Sequence, residues 1–276
     1  MEFTNDMLTI HTDKARLVAA NGGELSKEWK SIESRYEAYF YRQSSVIDDL
    51  CEAVLNGAEE SELNLRFGLA MAKALGISEG ANDRAEGVIN SEVRNRVAGA
   101  LTREYNKTAD ENLKRVAATF NLNLEQFRAL TEQVDVEASA ESLITAPDGA
   151  RMAWLKAEQI AAELDNNLAG LAAAASLAGA RISGNDALIG LVCPTDGVGK
   201  ARRALWKAWD TDGRTGRWGA LLAAGIDVKG IDSVQRYRTY GRPQHVRIDQ
   251  EVHIGAGAYG TRQTWVDTED GSPIEQ

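Results

Sequence analysis

Proline occurs only four times in the chain, at positions 147, 194, 243 and 273, and the first 146 residues contain none. Proline removes a backbone donor and clashes inside a helix, so its absence leaves this half free to be helical throughout. Hydrophobic spacing then places the helices. Ser26 suits the N-cap of a segment reaching about residue 56, with Gly57 as its stop. Within it Trp29, Ile32, Tyr36, Tyr39 and Phe40 recur at three- and four-residue steps. Val46, Ile47, Leu50, Cys51, Val54 and Leu55 continue that face after a break at Ser44-Ser45. Apolar residues at helical spacing mark burial, so this stripe reads as core before it reads as a ligand pocket. Further helices are predicted over 62–75, 82–105, 108–120, 124–134 and 148–180, with turns at Gly76, Asn106-Lys107, Asn121 and Ala146-Pro147-Asp148-Gly149.

The last of these helices ends in an uncharged, alanine-rich stretch over 166–180. Small side chains let two helix backbones approach closely, either between subunits or at the centre of one. At 15 residues the run is too short and too polar for a membrane span. Beyond Arg181 the character changes. Residues 182–199 carry Gly184, Gly190, Pro194, Gly197 and Gly199 and read as a junction. Val246, Ile248, Val252 and Ile254 alternate over 244–254, with an extra residue between Ile248 and Val252. A glycine-rich turn and a second strand over 261–267 complete a terminal β-hairpin. The expected fold is mainly α. A multi-helix domain over 1–181 precedes the junction, a small basic α+β module over 200–267 ends in the hairpin, and 268–276 form a tail.

Charge follows the same division. The 276 residues carry a net charge of −10, but unevenly. Residues 1–199 have a net of −12, residues 200–247 a net of +7, and residues 248–276 a net of −5. A basic island in an acidic chain can mark contact with a polyanion. Two cysteines, Cys51 and Cys193, argue against a disulfide framework and rule out a four-cysteine zinc site. The three histidines suggest no metal spacing, and no cofactor is expected. The first residues lack a basic start followed by an apolar run, so no signal peptide is expected and the assigned setting is the cytoplasm.

Three patterns suggest chemistry and then lose it. Leu188–Cys193 followed by Pro194-Thr195-Asp196-Gly197-Val198-Gly199-Lys200-Ala201 resembles a strand leading into a phosphate-binding loop. Pro194 stands where the first glycine should be, and Ala201 where the Mg²⁺-binding hydroxyl should be. Asp210-Thr211-Asp212-Gly213 begins like a calcium loop, but its twelfth position is Leu221 and not glutamate. Cys193 with His245 or His253 is the only cysteine–histidine pairing on offer, and nothing in the sequence brings the two together. No enzyme is expected.

Two segments fit a helix-turn-helix. In the first, 116–130, Asn121 would make the turn and Asn123 cap the second helix. In the second, 221–238, Gly225 would make the turn, Ile226 point inward and Asp227 cap a helix presenting Lys229, Gln235, Arg236 and Arg238. The alternative there is an extended segment between Gly225 and Gly230. Tyr240-Gly241-Arg242-Pro243 resembles the Gly-Arg-Pro core of AT-hook peptides, whose arginine enters a narrow minor groove. Trp206, Trp209, Trp218, Tyr237 and Tyr240 interleave with the bases, as in surfaces that stack on unpaired nucleotides, or as the core of a small module. The leading expectation is a non-enzymatic, oligomeric nucleic-acid-binding protein. Lys200, Arg202, Arg203 and Lys207 would touch phosphate, and Lys229, Gln235, Arg236, Arg238 and Arg242 would enter a groove. The alternative is a structural or assembly protein, a scaffold or virion-type subunit, whose basic segment meets an acidic protein surface.

Overall fold

The computed structural model of the protein describes residues 7–40, 46–75, 81–193, 202–242, 245–255 and 258–267. Seven longer helices come first: α1 (Met7–Ala20), α2 (Lys27–Phe40), α3 (Val46–Leu55), α4 (Glu60–Leu75), α5 (Ala81–Asn106), α6 (Ala109–Thr131) and α7 (Asp148–Leu177). Three short ones follow, α8 (Ile189–Val192), α9 (Arg202–Trp209) and α10 (Gly216–Ala223), then β1 (His245–Gly255) and β2 (Ala258–Asp267). The fold is mainly α, with one two-stranded antiparallel sheet.

Two compact units divide the chain. One takes in the described residues up to Arg16 together with 24–108, and the other 17–23 and the described residues from 109 onward. The boundary expected at 181 falls inside the second unit. Within the expected junction, residues 189–193 are buried core, while 183–185 are exposed and 186–188 half-buried.

In the first unit, Ser26 caps α2 as its sequence suggests: its Oγ accepts from the Trp29 N–H at 3.0 Å and donates to Glu104 Oε1 at 2.9 Å. Trp29 is buried with Leu8, His11, Ala15, Leu101 and Tyr105. The spacing of Leu8, His11 and Ala15 is helical, yet α1 has no counterpart among the predicted helices. α3 ends in a Schellman turn. Gly57 takes φ 67°, Gly57 N–H reaches Val54 O, and Ala58 N–H reaches Ala53 O. Arg66 of α4 pairs with Glu62 at 2.7 Å and donates to Asp49 O of α3 at 3.0 Å, which ties the two helices into a hairpin. The expected break at Ser44-Ser45 lies outside the described residues.

The second unit is organised by α6 against α7. Leu113, Val116, Ala117, Phe120, Leu124, Phe127 and Leu130 make one continuous buried stripe. The helix therefore runs straight through Asn121-Leu122-Asn123, and the helix-turn-helix expected at 116–130 does not form. Both asparagines act within the unit. Asn121 Oδ1 accepts from Gly230 N–H at 2.8 Å. Asn123 donates to Asn167 at 2.7 Å, and Asn167 donates to Asn21 at 2.8 Å. The alanine-rich half of α7 is buried inside this unit. A methyl group on Gly170 would overlap the Asn21 side chain, so the small residue there makes room for the amide chain.

Two further expectations change in this unit. Residues 188–192 are a helical turn, not the strand a phosphate loop needs, and Ile189, Leu191 and Val192 are fully buried. After Gly225 (φ 68°) the chain is extended instead of helical. Lys229 N–H bonds Val192 O at 2.7 Å and Ile231 N–H bonds Leu191 O at 2.9 Å. Gly230 fits because a Cβ there would come within 3.0 Å of the Phe120 ring. The second helix-turn-helix is thus absent, and the extended alternative is what forms. In the hairpin, Val246 faces Val266, Ile248 faces Thr264 and Val252 faces Gly260 in unbroken register. Gln250 occupies a regular position opposite Arg262, and the irregularity falls at His253/Gly255.

Candidate nucleic-acid interface

The tryptophans of the basic island form a core. Trp206, Trp209 and Trp218 are buried, as are Leu205, Ala208 and Leu221 beside them. The Trp218 ring meets Phe120 edge-on at 5.5 Å, and its Nε1 donates to Asp165 at 3.1 Å. Trp206 Nε1 donates to Gly241 O at 3.1 Å. Tyr237 and Tyr240 donate their hydroxyls to Ala187 O and Cys193 O. The three buried tryptophans present no open face on which a base could stack, and both tyrosines are half-buried.

Several arginines lie on this core, each between a ring and a carboxylate. Arg242 stacks 4.4 Å from the Trp206 centroid. It binds Asp186 through Nε and Nη2 at 2.7 and 2.8 Å, and Asp210 through Nη1 and Nη2 at 2.7 and 3.0 Å. Four of its five donors are engaged, which holds the guanidinium protonated and the Asp186 carboxyl below its ordinary value. Arg217 lies 4.2 Å from the Trp209 centroid with Asp165 at 3.9 Å. Burial pushes the Asp165 carboxyl up, while Arg217 and the Trp218 N–H pull it down. Arg214 sits 3.4 Å from the Trp154 centroid and donates to Glu158 at 3.0 Å and Val136 O at 3.2 Å. The turn behind it wraps around Glu137, whose carboxylate accepts from Arg214 N, Thr215 N and the Thr215 hydroxyl.

The residues expected to bind nucleic acid therefore separate. Arg242 stays at the surface but is held by two carboxylates of its own unit. Arg236 is exposed and forms a surface pair with Asp232 at 3.2 Å. Arg238 and Gln235 are brought together, with Arg238 Nη1 donating to Gln235 O at 2.7 Å and to Tyr237 O at 2.9 Å. Arg203 is half-buried on α9, and Lys207 and Lys229 are exposed. Among the described residues Lys207, Lys229 and Arg238 have no carboxylate partner. Arg202 opens α9, and Lys200 lies outside the described residues. The carboxylates that pair with the island's arginines from outside it (Glu158, Asp165 and Asp186) went unrecognised in the sequence, because the pairing depends on where distant segments come to rest.

Other chemistry finds little support in the geometry. Cys193 is buried, and its burial, with Asp227 nearby, pushes the thiol up to about 12, so the thiolate is scarce at neutral pH. Asp210–Gly213 closes α9 as a turn. Among the described residues there is no group of three or more metal-ligating side chains, and no helix is long and apolar enough to cross a membrane. Comparison with known proteins gives no match to any family model, curated protein or solved structure.

Proposed function

We propose that the protein is a non-enzymatic, self-assembling structural subunit that acts in the reducing cytoplasm. The observation that carries this reading is the apolar surface of the α3–α4 hairpin. Leu65 is 65% exposed, Phe67 56% and Leu69 53%, with Val54, Leu55 and Met71 also exposed. A run of large apolar side chains in water is the mark of a surface meant to be covered. Two further observations agree. Arg214, Arg217, Arg236 and Arg242 of the basic segment each pair with a carboxylate of their own unit, and both cysteines are free. Light scattering on the intact 30.0 kDa chain tests the reading: discrete species larger than one chain support it, and a single monomeric species at all concentrations overturns it.

A second reading, nucleic-acid binding, rests on the exposed Lys207, Lys229 and Arg238 with the neighbouring Gln235. It predicts duplex binding that weakens with salt. Replacing the three cations by alanine should lower the log–log salt slope by about 2 to 3, since each phosphate contact contributes about 0.9. No binding at low salt would exclude it.

A further inference from the structure

The hairpin is apolar on more than one side. Leu65 and Leu69 stand four residues apart and share one edge of α4, while Phe67 and Met71 share another, about 200° around at 100° per residue. One neighbour, α3, cannot cover both edges, and all four side chains are exposed. Its rim is acidic: Asp49, Glu52, Glu59 and Glu60 are exposed, while Glu62 is paired with Arg66.

The second unit carries a surface of complementary shape with a cation on it that is unpaired among the described residues. Near the start of α7, Met152 is 64% exposed and Leu155 55%, and Ile144 beside them is exposed as well. Leu155 forms a ridge between two hollows. One, of about 550 Å³, is lined by Leu130, Gln133, Met152, Lys156 and Gln159 among others. The other, of about 340 Å³, is lined by Leu143, Ile144, Arg151 and Trp154 among others. The charged residues lining the two hollows are Lys156 and Arg151, and Arg151 is paired with the exposed Asp148. Lys156 has no carboxylate partner among the described residues.

We propose that the Leu65/Leu69 edge of α4 in one molecule docks into the two hollows flanking Leu155 on α7 of a second copy of this chain. The proposal rests on the self-assembly reading and names its interface. A helix edge with two knobs about 6 Å apart complements a ridge between two hollows. The acidic rim of the hairpin meets Lys156, the cation of the hollows without a carboxylate partner among the described residues. Hairpin against hairpin would oppose like charges, and hollow against hollow would leave both empty, so the contact is between unlike surfaces. A contact of that kind propagates from copy to copy into a ring or a filament.

Sedimentation velocity on the intact chain tests this with two exposed substitutions. Leu69→Arg disables the hairpin and leaves the hollows intact, while Leu155→Glu disables the ridge and leaves the hairpin intact. Each alone should weaken self-association by about tenfold or more, as for a central apolar anchor. Mixed in equal amounts they should form a 1:1 species that grows no further, because one functional pairing remains. That recovery also shows that both variants fold. Oligomers unchanged by either substitution overturn the docking pair while leaving self-assembly standing. Oligomers lost with Leu69→Arg but untouched by Leu155→Glu identify a hairpin–hairpin contact and overturn it too. A wild-type chain that stays monomeric removes the self-assembly reading itself.

Discussion

The basic island over 202–242 and the α3–α4 hairpin differ in opposite senses from what their sequences suggest. The island has the composition of an interaction surface, yet its tryptophans are core, Arg217 and Arg242 lie between those rings and carboxylates of their own unit, and Arg214 lies on Trp154 of α7. The hairpin has the composition of ordinary helices, yet it leaves leucine, phenylalanine and methionine in water. Charge asymmetry along a chain is therefore a poor guide to charge asymmetry on its surface. An arginine can bury its stem and ring contact while a distant aspartate neutralises it. Apolar content is an equally poor guide to burial when a helix is apolar on two sides.

Loss of the island's core should have the largest effect. Trp218→Ala removes a fully buried ring and leaves Asp165 without its donor, so urea unfolding of the second unit should lose about 4 kcal/mol. A change near zero would mean that the island is not a core at all. Next comes Gly190→Ala. A methyl group there would overlap the backbone carbonyl of Arg238, and a backbone cannot swing aside as a flexible side chain does. The cost should be about 3 kcal/mol, and hydrogen exchange should rise across 237–242.

A smaller effect belongs to the first unit and depends on pH. Burial lowers the His11 imidazole, Lys14 acts in the same direction, and a hydrogen bond with the Leu101 backbone opposes them. The unfolded chain then binds the proton more readily than the folded one. His11 contributes stability in full above its ordinary value of 6.5, and this is lost as pH falls through the lowered folded value. Melting of the first unit should move down between pH 7 and pH 5, and His11→Leu should flatten that slope. The smallest effect on folding is expected at the hairpin. Phe67→Ser and Leu65→Ser should alter monomer stability by no more than about 0.5 kcal/mol. A large loss would show that the hairpin surface is covered within the chain, which would erase the contrast with the island.

Much of the fold was legible in the sequence, and the misses have local causes. The cap at Ser26, the stop at Gly57 and the long helix from Asp148 follow from capping chemistry and 3.6-residue spacing, which act within a few residues. Asn121 misled because a polar residue tolerant of turns looks the same when it reaches out from mid-helix to a distant backbone N–H. Residues 188–192 misled because a short apolar run carries no period that separates a strand from a buried helical turn. The exposed edge of α4 left a faint sign, since Leu65, Phe67, Leu69 and Met71 recur every second residue and cannot share one face of a helix.

From its own residues the chain determined a mainly α fold with a C-terminal hairpin, because proline, caps and hydrophobic period are local properties. Only the tertiary structure decided what the basic island does. Arg242 meets Asp186 and Asp210, 56 and 32 positions away, and Arg214 meets Glu158, 56 positions away. Such pairings depend on where distant segments come to rest, and no spacing rule along the chain encodes them. The same is true of the apolar surface on α4, because exposure is a property of neighbours in space.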